Sequence, residues 1–461
     1  MKKEQLREAM GQLDEGLVQD AASSGRRKKP IWRRFAALAA CLVLVAGTAA
    51  VWNLYGAKNS NQSNDYKSAR MESPQNPAAG KTAGDTEPEH ALTSETIGEG
   101  QKMNQFGYRV GAQLLTDSGQ NALFSPASLY YALAMTAEGA AGETQEQLLQ
   151  LLGAEDPQSL AELCQKMYQL QSIDEENSKL KIANSIWVDA SLGKLKKEYA
   201  DLITGSFYGS LFSVDFTDPA AKQQIGEWIA QQTNGLVEYT PADGPQVMSL
   251  INTVYFKDRW TVKFRENNTR EDDFVLADGK KIRHEFMNGF IPGTVYEGEG
   301  FTRGVLEMER GSMVFVLPEE GGGVQELAAS AQKLEEAFTG GEKQSGYINW
   351  HLPKFSCDAS MQLTDTLQSL GAELAFGPEA DFTQMTESAE ELFISSVTQN
   401  THIALNEYGA EAAAYTEVAM ARGAMTPGQE FEMNLNRPFL YGILDEAGSL
   451  IFIGTCMNPG E

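Results

Sequence analysis

The chain has 461 residues, 42% of them hydrophobic and 22% charged, which is enough for one large core plus additional segments. Its formal net charge is −26, and nine basic against five acidic residues between Lys2 and Arg34 leave the rest of the chain near −30. So acidic an exterior argues against nucleic acid as a partner.

Residues 1–34 read as a basic cytoplasmic segment ending in Arg26-Arg27-Lys28-Lys29 and Arg33-Arg34. Phe35 to Tyr55 carries no charge; about 21 residues rising about 1.5 Å each span roughly 31 Å, close to a hydrocarbon core of about 30 Å. With the basic clusters on one side and Trp52 and Tyr55 at the other end, this predicts a single-pass membrane anchor, N-terminus inside and the bulk of the chain outside. Two other readings stay open: a cleaved signal peptide and secretion, or a lipoprotein signal at Leu38-Ala39-Ala40-Cys41. Against the latter, only six apolar residues precede Cys41 while many follow. Residues 56–100 hold few large apolar side chains and read as a disordered linker with a reach of roughly 37 Å.

Beyond residue 100, Ser125 and Ser128 stand before the apolar run Leu129 to Met135, where a serine hydroxyl caps a helix start. No nucleophile elbow, zincin motif or phosphate-binding loop occurs, so no catalytic residue is assigned. His90, His284, His351 and His402 never fall at ligand spacing, so no metal or other cofactor is implied. Cys164, Cys357 and Cys456 lie far apart and odd in number, which suits buried small hydrophobes better than disulfides.

The segment from Asn406 to Met420 is the most informative. Ala410, Ala412, Ala414, Thr416, Val418 and Met420 alternate with Glu411, Ala413, Tyr415 and Glu417, a period-two pattern that fits a strand. Its Ala and Glu content fits a surface helix equally well on propensity alone. Residues 421–430 have the small, polar, Pro/Gly composition of an exposed loop.

Ordered blocks place that segment in context. They run from Asn121-Ala-Leu-Phe-Ser125-Pro126-Ala-Ser128 and Gly139-Ala140-Ala-Gly142 through Ala183-Asn184-Ser-Ile-Trp187 and Ile251-Asn252-Thr-Val-Tyr255-Phe256-Lys257-Asp-Arg-Trp260, with Phe264 and Thr269 after them. Leu352-Pro353-Lys354-Phe355, Ala380-Asp381-Phe382, Asn406-Glu407-Tyr-Gly409 and Arg437-Pro438-Phe439-Leu440 complete the order. Together they resemble the serpin family, and residues 101–461 are identified as a serpin domain of a bacterial, membrane-anchored member. The resemblance implies an α+β fold: a large central mixed β-sheet, surrounding helices, a smaller sheet or barrel region and an exposed reactive loop.

It further implies an inhibitor of extracellular serine proteases, not an enzyme, acting as a monomer. The protease attacks the loop, and the cleaved strand then enters the central sheet carrying the acyl-enzyme with it; the alternative is a non-inhibitory binding module. Glu407, Gly409, Ala410, Glu411, Ala412, Ala413, Ala414 and Thr416 correspond to the loop's hinge, its small inward residues easy to bury while Glu411 and Glu417 stay on a wet face. Ser125, Ser128, Asn252, Trp260, Lys354 and Gln399 correspond to the region that opens. Gln399 stands where many serpins have histidine, which implies a cluster without a pH-sensitive member; Asp258 replaces a common glycine. The reactive bond falls at Gly423-Ala424, with Arg422 and Met425 as alternatives. This favours elastase-like or subtilisin-like targets over trypsin-like ones.

Overall fold

The computed structural model describes residues 94–116, 119–237, 244–386, 392–410 and 429–461. All lie in the second of the two units into which the chain divides, Ala69–Glu461. The expected basic segment, the membrane span at 35–55 and the linker as far as residue 93 lie outside the described residues. So do Glu411, Ala412, Ala413, Ala414, Thr416, Arg422, Gly423, Ala424 and Met425. No helix among the described residues is long and apolar enough to cross a membrane.

The elements begin with α1 (Ser94–Leu114), β1 (Ala122–Phe124), α2 (Pro126–Gly139), α3 (Gly142–Leu152), α4 (Pro157–Gln171), β2 (Ile173–Asp174) and β3 (Lys179–Asp189). Next come α5 (Lys197–Ser206), β4 (Ser210–Val214), α6 (Pro219–Gln232), β5 (Met248–Arg259), β6 (Arg270–Val275), β7 (Lys281–Gly298), β8 (Phe301–Glu307) and β9 (Gly311–Pro318). The chain continues through α7 (Val324–Leu327), α8 (Ala331–Thr339), β10 (Glu342–Pro353), β11 (Phe355–Gln362), α9 (Thr364–Ser369), β12 (Ser396–Asn406), β13 (Gly409–Ala410), β14 (Glu430–Asn434), β15 (Phe439–Asp445) and β16 (Leu450–Cys456).

Helix α1 corrects one boundary. Residues 94–100, expected to end the linker, form its first turns, with Thr96 and Gly100 buried. A Cβ on Gly100 would lie 2.5 Å from Ser449 Oγ, so tertiary packing there outweighs a composition that looks unstructured.

The central sheet has seven strands in the order β11-β12-β13-β5-β3-β2, with β4 beside β3; a nine-stranded second sheet runs β1-β16-β15-β9-β8-β7-β10-β14, with β6 beside β7. The central sheet is mixed, since β12 pairs with β5 and β3 with β4 in parallel while its other ladders are antiparallel. Helix α2 lies behind it and is buried along almost its whole length, with apolar side chains on every face. Helix α6 covers the other face, where Trp187, Ala221, Ile225, Trp228, Ile229 and Ile251 form a separate apolar cluster. With both faces covered, the first nine residues of β5 and the first six of β12 are buried without alternation.

Trp187 stacks on Phe212 at 3.9 Å and meets Trp228 edge-on at 6.3 Å. Replacing this fully buried indole, Trp187→Ala, is expected to cost about 3–5 kcal/mol in urea unfolding. A loss under about 1 kcal/mol would mean that α6 does not depend on it.

Candidate functional site

The boundary between β12 and β5 is a fork. Along 396–401 and 249–254 the two strands pair directly, from Ser396 opposite Ser249 to Thr401 opposite Val254. Beyond that point they part, and β13 lies between them: Gly409 and Ala410 pair with Asn406 and Leu405 on one side and with Arg259 and Asp258 on the other. The last two described residues before residue 411 are thus already strand, and Ala410 is fully buried.

Four side chains hold the base of this short strand. Glu407 is 6% exposed; its Oε1 accepts from Thr269 Oγ1 at 2.7 Å and lies 3.4 Å from Lys354 Nζ. Burial pushes the Glu407 carboxyl up, but the Thr269 hydroxyl, a backbone hydrogen bond and the Lys354 ammonium together outweigh it and hold the group below its ordinary value. Trp260 donates from Nε1 to Asn406 O at 2.9 Å and from its backbone N–H to Tyr408 O at 3.0 Å, and its ring packs edge-on against Phe264.

Gly409 has φ +148°, and a Cβ there would meet Asp258 O at 2.0 Å. Only glycine permits both the backbone conformation and so close an approach of β5.

Asp258 is fully buried. It accepts from Ser178 Oγ at 2.7 Å and from the backbone N–H groups of Arg259 at 2.9 Å and Arg310 at 3.0 Å. It therefore ties the turn before β3 and the turn between β8 and β9 to the strand end beside the hinge. Burial dominates its titration and raises its carboxyl, with nearby Glu309 adding to the shift.

A second cluster lies under the paired half of the fork, on the α2 side. Ser125 caps α2, its Oγ accepting from Ser128 N–H at 3.3 Å. Gln399 clamps the Ser125 backbone: its Oε1 accepts from Ser125 N–H at 2.6 Å, and its Nε2 donates to Ser125 O at 3.0 Å and to Asn252 Oδ1 at 2.8 Å. Ser128 Oγ donates to Asn184 Oδ1 at 3.2 Å. None of these five side chains titrates near neutrality. His402, on the opposite face of β12, pairs instead with Asp358 at 2.6 Å.

The structure thus brings Ser125, Ser128, Asn252 and Gln399 into one cluster and Trp260, Lys354, Glu407, Gly409 and Ala410 into another. Sequence reasoning assigned no role to Asn184, Thr269 or Asp258. Asn184 and Asp258 stand inside the quoted motif blocks, Asp258 as a departure from glycine, and Thr269 follows one of them, so position gave a signal.

The architecture is a mixed central sheet forked around the two-residue strand β13. The family model for serpins (serine protease inhibitors) matches residues 101–459. Serpin-Z2B of Triticum aestivum is 32% identical over 380 residues, covering 77% of this chain and 95% of that protein. Among solved structures, the thermophilic serpin tengpin in its native state matches with TM-score 0.72 at 30% identity, covering 81% of this chain and 96% of its own. Arabidopsis AtSerpin1 in its native stressed conformation matches with TM-score 0.68 at 26% identity, covering 80% and 98%. The chain belongs to the serpin family, a family of protease inhibitors and not of enzymes. Its curated relatives named here are cereal proteins and lend nothing to the expectation of a bacterial, membrane-anchored member.

Gly409→Ala is expected to expel β13, costing about 1–3 kcal/mol through the forced backbone and the contact with Asp258. Hydrogen exchange at the Ala410 amide should rise in step.

The depressed Glu407 carboxyl stabilises the fold above its unfolded-state pKa, and that contribution is lost as the pH falls through its lower folded value. Trp260 fluorescence should therefore report loosening of the fork on acidification. Glu407→Gln should remove that transition while leaving Asp258, whose raised carboxyl acts in the opposite sense, to titrate alone.

Proposed function

We propose that this protein inhibits extracellular serine proteases by trapping them in a covalent complex, with residues 411–428 as bait and the β12–β5 boundary as receiving slot. The observation that carries the reading is the two-residue strand β13 in the mouth of that slot. Its registers on β12 and β5 agree with each other: continued downward, each residue from 414 to 419 would fall between two residues that now face each other directly. Ala414 would lie between Thr401 and Val254, Thr416 between Gln399 and Asn252, and Ala419 between Ser396 and Ser249. Insertion on this path needs no register slip.

The chemistry follows from the target. A serine protease attacks a loop bond, Gly423-Ala424 being favoured over Arg422 and Met425 as the site, and forms an acyl-enzyme. Cutting frees the upstream part, which extends β13 by about 30 Å over nine residues at about 3.3 Å each. Displacement of the tethered protease disturbs an oxyanion hole and attacking water that must be placed within fractions of an ångström, so hydrolysis stalls. Small residues at 410, 412 and 414 suit this role because on this register they would face the buried α2 side. The favoured targets are elastase-like or subtilisin-like, with small or apolar pockets.

One expectation changes. On this register Glu417 arrives between Thr398 and Ile251, each 2% exposed, with Ile251 packed in the cluster under α6. That face is dry, so burying the carboxylate there opposes insertion unless α6 gives way. Glu411 instead arrives beside Lys257 and Ala404, both partly exposed.

Residues 35–55 would anchor the protein in a membrane with the inhibitor outside, on the strength of the N-terminal sequence alone; extraction by detergent but not by alkaline carbonate tests this. For inhibition, mixing the protein with pancreatic elastase or subtilisin should give a complex that survives SDS. Ala412→Arg should convert the protein to a substrate, cleaved with at least about a tenfold loss of complex. Glu417→Gln should raise the complex yield. Complete loop cleavage without complex by the unmodified chain would establish a non-inhibitory module instead.

A further inference from the structure

At the foot of the central sheet, below the last direct pair of β12 and β5, lies a cavity of about 910 Å³. Asp189 at the end of β3, Asp215 just past β4, Gln246 and Val247 before β5 and Phe393 before β12 line it, with Ser191 beside them. Among the described residues its lining holds two carboxylates and no basic side chain. Asp189 Oδ1 accepts from Ser191 N–H at 2.9 Å, and Asp215 Oδ1 accepts from Thr217 N–H at 2.8 Å and from Thr217 Oγ1 at 2.6 Å. Each carboxylate is thus held by its own turn through one oxygen, and its second oxygen can take a further donor.

The register set at the mouth of the slot leads to this cavity. Ala410 pairs with Leu405 and with Asp258. Twelve residues further on, the same register sets Arg422 between Phe393 and Gln246, three rows below Ser396 and Ser249, and both of these residues line the cavity. An extended chain covers those steps in about 40 Å, and the chain from Asp258 back to Gln246 has the same number of residues, so no slack is needed.

Arg422 is the one basic residue between 411 and 428. Its guanidinium carries five donors in a rigid fork, which suits two carboxylates, and its flat face suits an aromatic ring such as that of Phe393. We propose that this cavity receives the Arg422 side chain once the loop has been cut and inserted, with Asp189 and Asp215 as its charge partners. The lower end of the inserted strand is then pinned, and Arg422 serves as an anchor whether or not it lies next to the cut bond. The proposal rests on the insertion reading above and adds to it the place where the inserted segment ends.

The test uses the full-length uncut chain and two amidated synthetic peptides of residues 411–424, one unmodified and one carrying Arg422→Ala. Each is annealed into the protein, and its rate of release and the melting temperature of the complex are measured. The unmodified peptide should leave about three- to tenfold more slowly and give the higher melting temperature, the range of a partly screened charge pair. A peptide with Arg422→Lys, which keeps the charge, should recover most of that difference. In a protein carrying Asp189→Asn and Asp215→Asn, whose amide oxygens can still cap both turns, the unmodified and Arg422→Ala peptides should behave alike.

Should the double variant not fold, Asp215→Asn alone, at an exposed turn, should narrow the gap between the two peptides. Equal release of both peptides from the unmodified protein, or a gap left untouched by loss of the carboxylates, would overturn the proposal while the insertion reading stands. If neither peptide anneals and the uncut chain gives no SDS-stable complex with elastase or subtilisin, the insertion reading itself falls, and this site with it.

Discussion

The structure depends on a divided loyalty of two strands. Strands β12 and β5 bond to each other over 396–401 and 249–254 and to β13 beyond. Where the division falls is set by a balance. Glu407, Thr269, Lys354 and Trp260 fix the base of β13, Gly409 allows β5 to come close, and Asp258 ties the mouth to two turns outside the ladder. Below, the Gln399 clamp on Ser125 and Asn252 closes the sheet against α2. Each set is local, and neither alone decides whether the boundary is open or shut.

Much of this was legible in the sequence because the motif blocks carry the residues that meet. Ser125 and Ser128 precede an apolar run, and Ser125 caps α2; Asn252 lies in β5 with Trp260 just past its end, and Gln399 lies in β12 with Glu407 just past its end. Elsewhere local signals failed for physical reasons. The first nine residues of β5 and the first six of β12 are covered on both faces, so the alternation that marks a half-exposed strand is missing there. Residues 94–100 look like linker until Gly100 is seen against Ser449. Period two gives sides but not what lies over them, and α6 lies over the side of the sheet that carries Trp187 and Ile251. Asp258 needed three donors from three parts of the chain to acquire a meaning.

The two clusters also differ in how they can respond to their surroundings. The upper one contains titratable groups pulled in opposite directions, Glu407 downward by its partners and Asp258 upward by burial. The lower one is built from hydroxyls and amides. The three cysteines among the described residues are free and buried. Acid therefore acts at the mouth of the slot and not at its floor.

The direction of the strands carries one more consequence. The seam between β12 and β5 is parallel, and parallel ladders are slanted and slightly weaker per residue than antiparallel ones. Any chain that continues β13 downward runs antiparallel to both neighbours. It exchanges one ladder of the weaker kind for two of the stronger, which gives the sheet a thermodynamic reason to be entered along this line and no comparable reason to release what has entered.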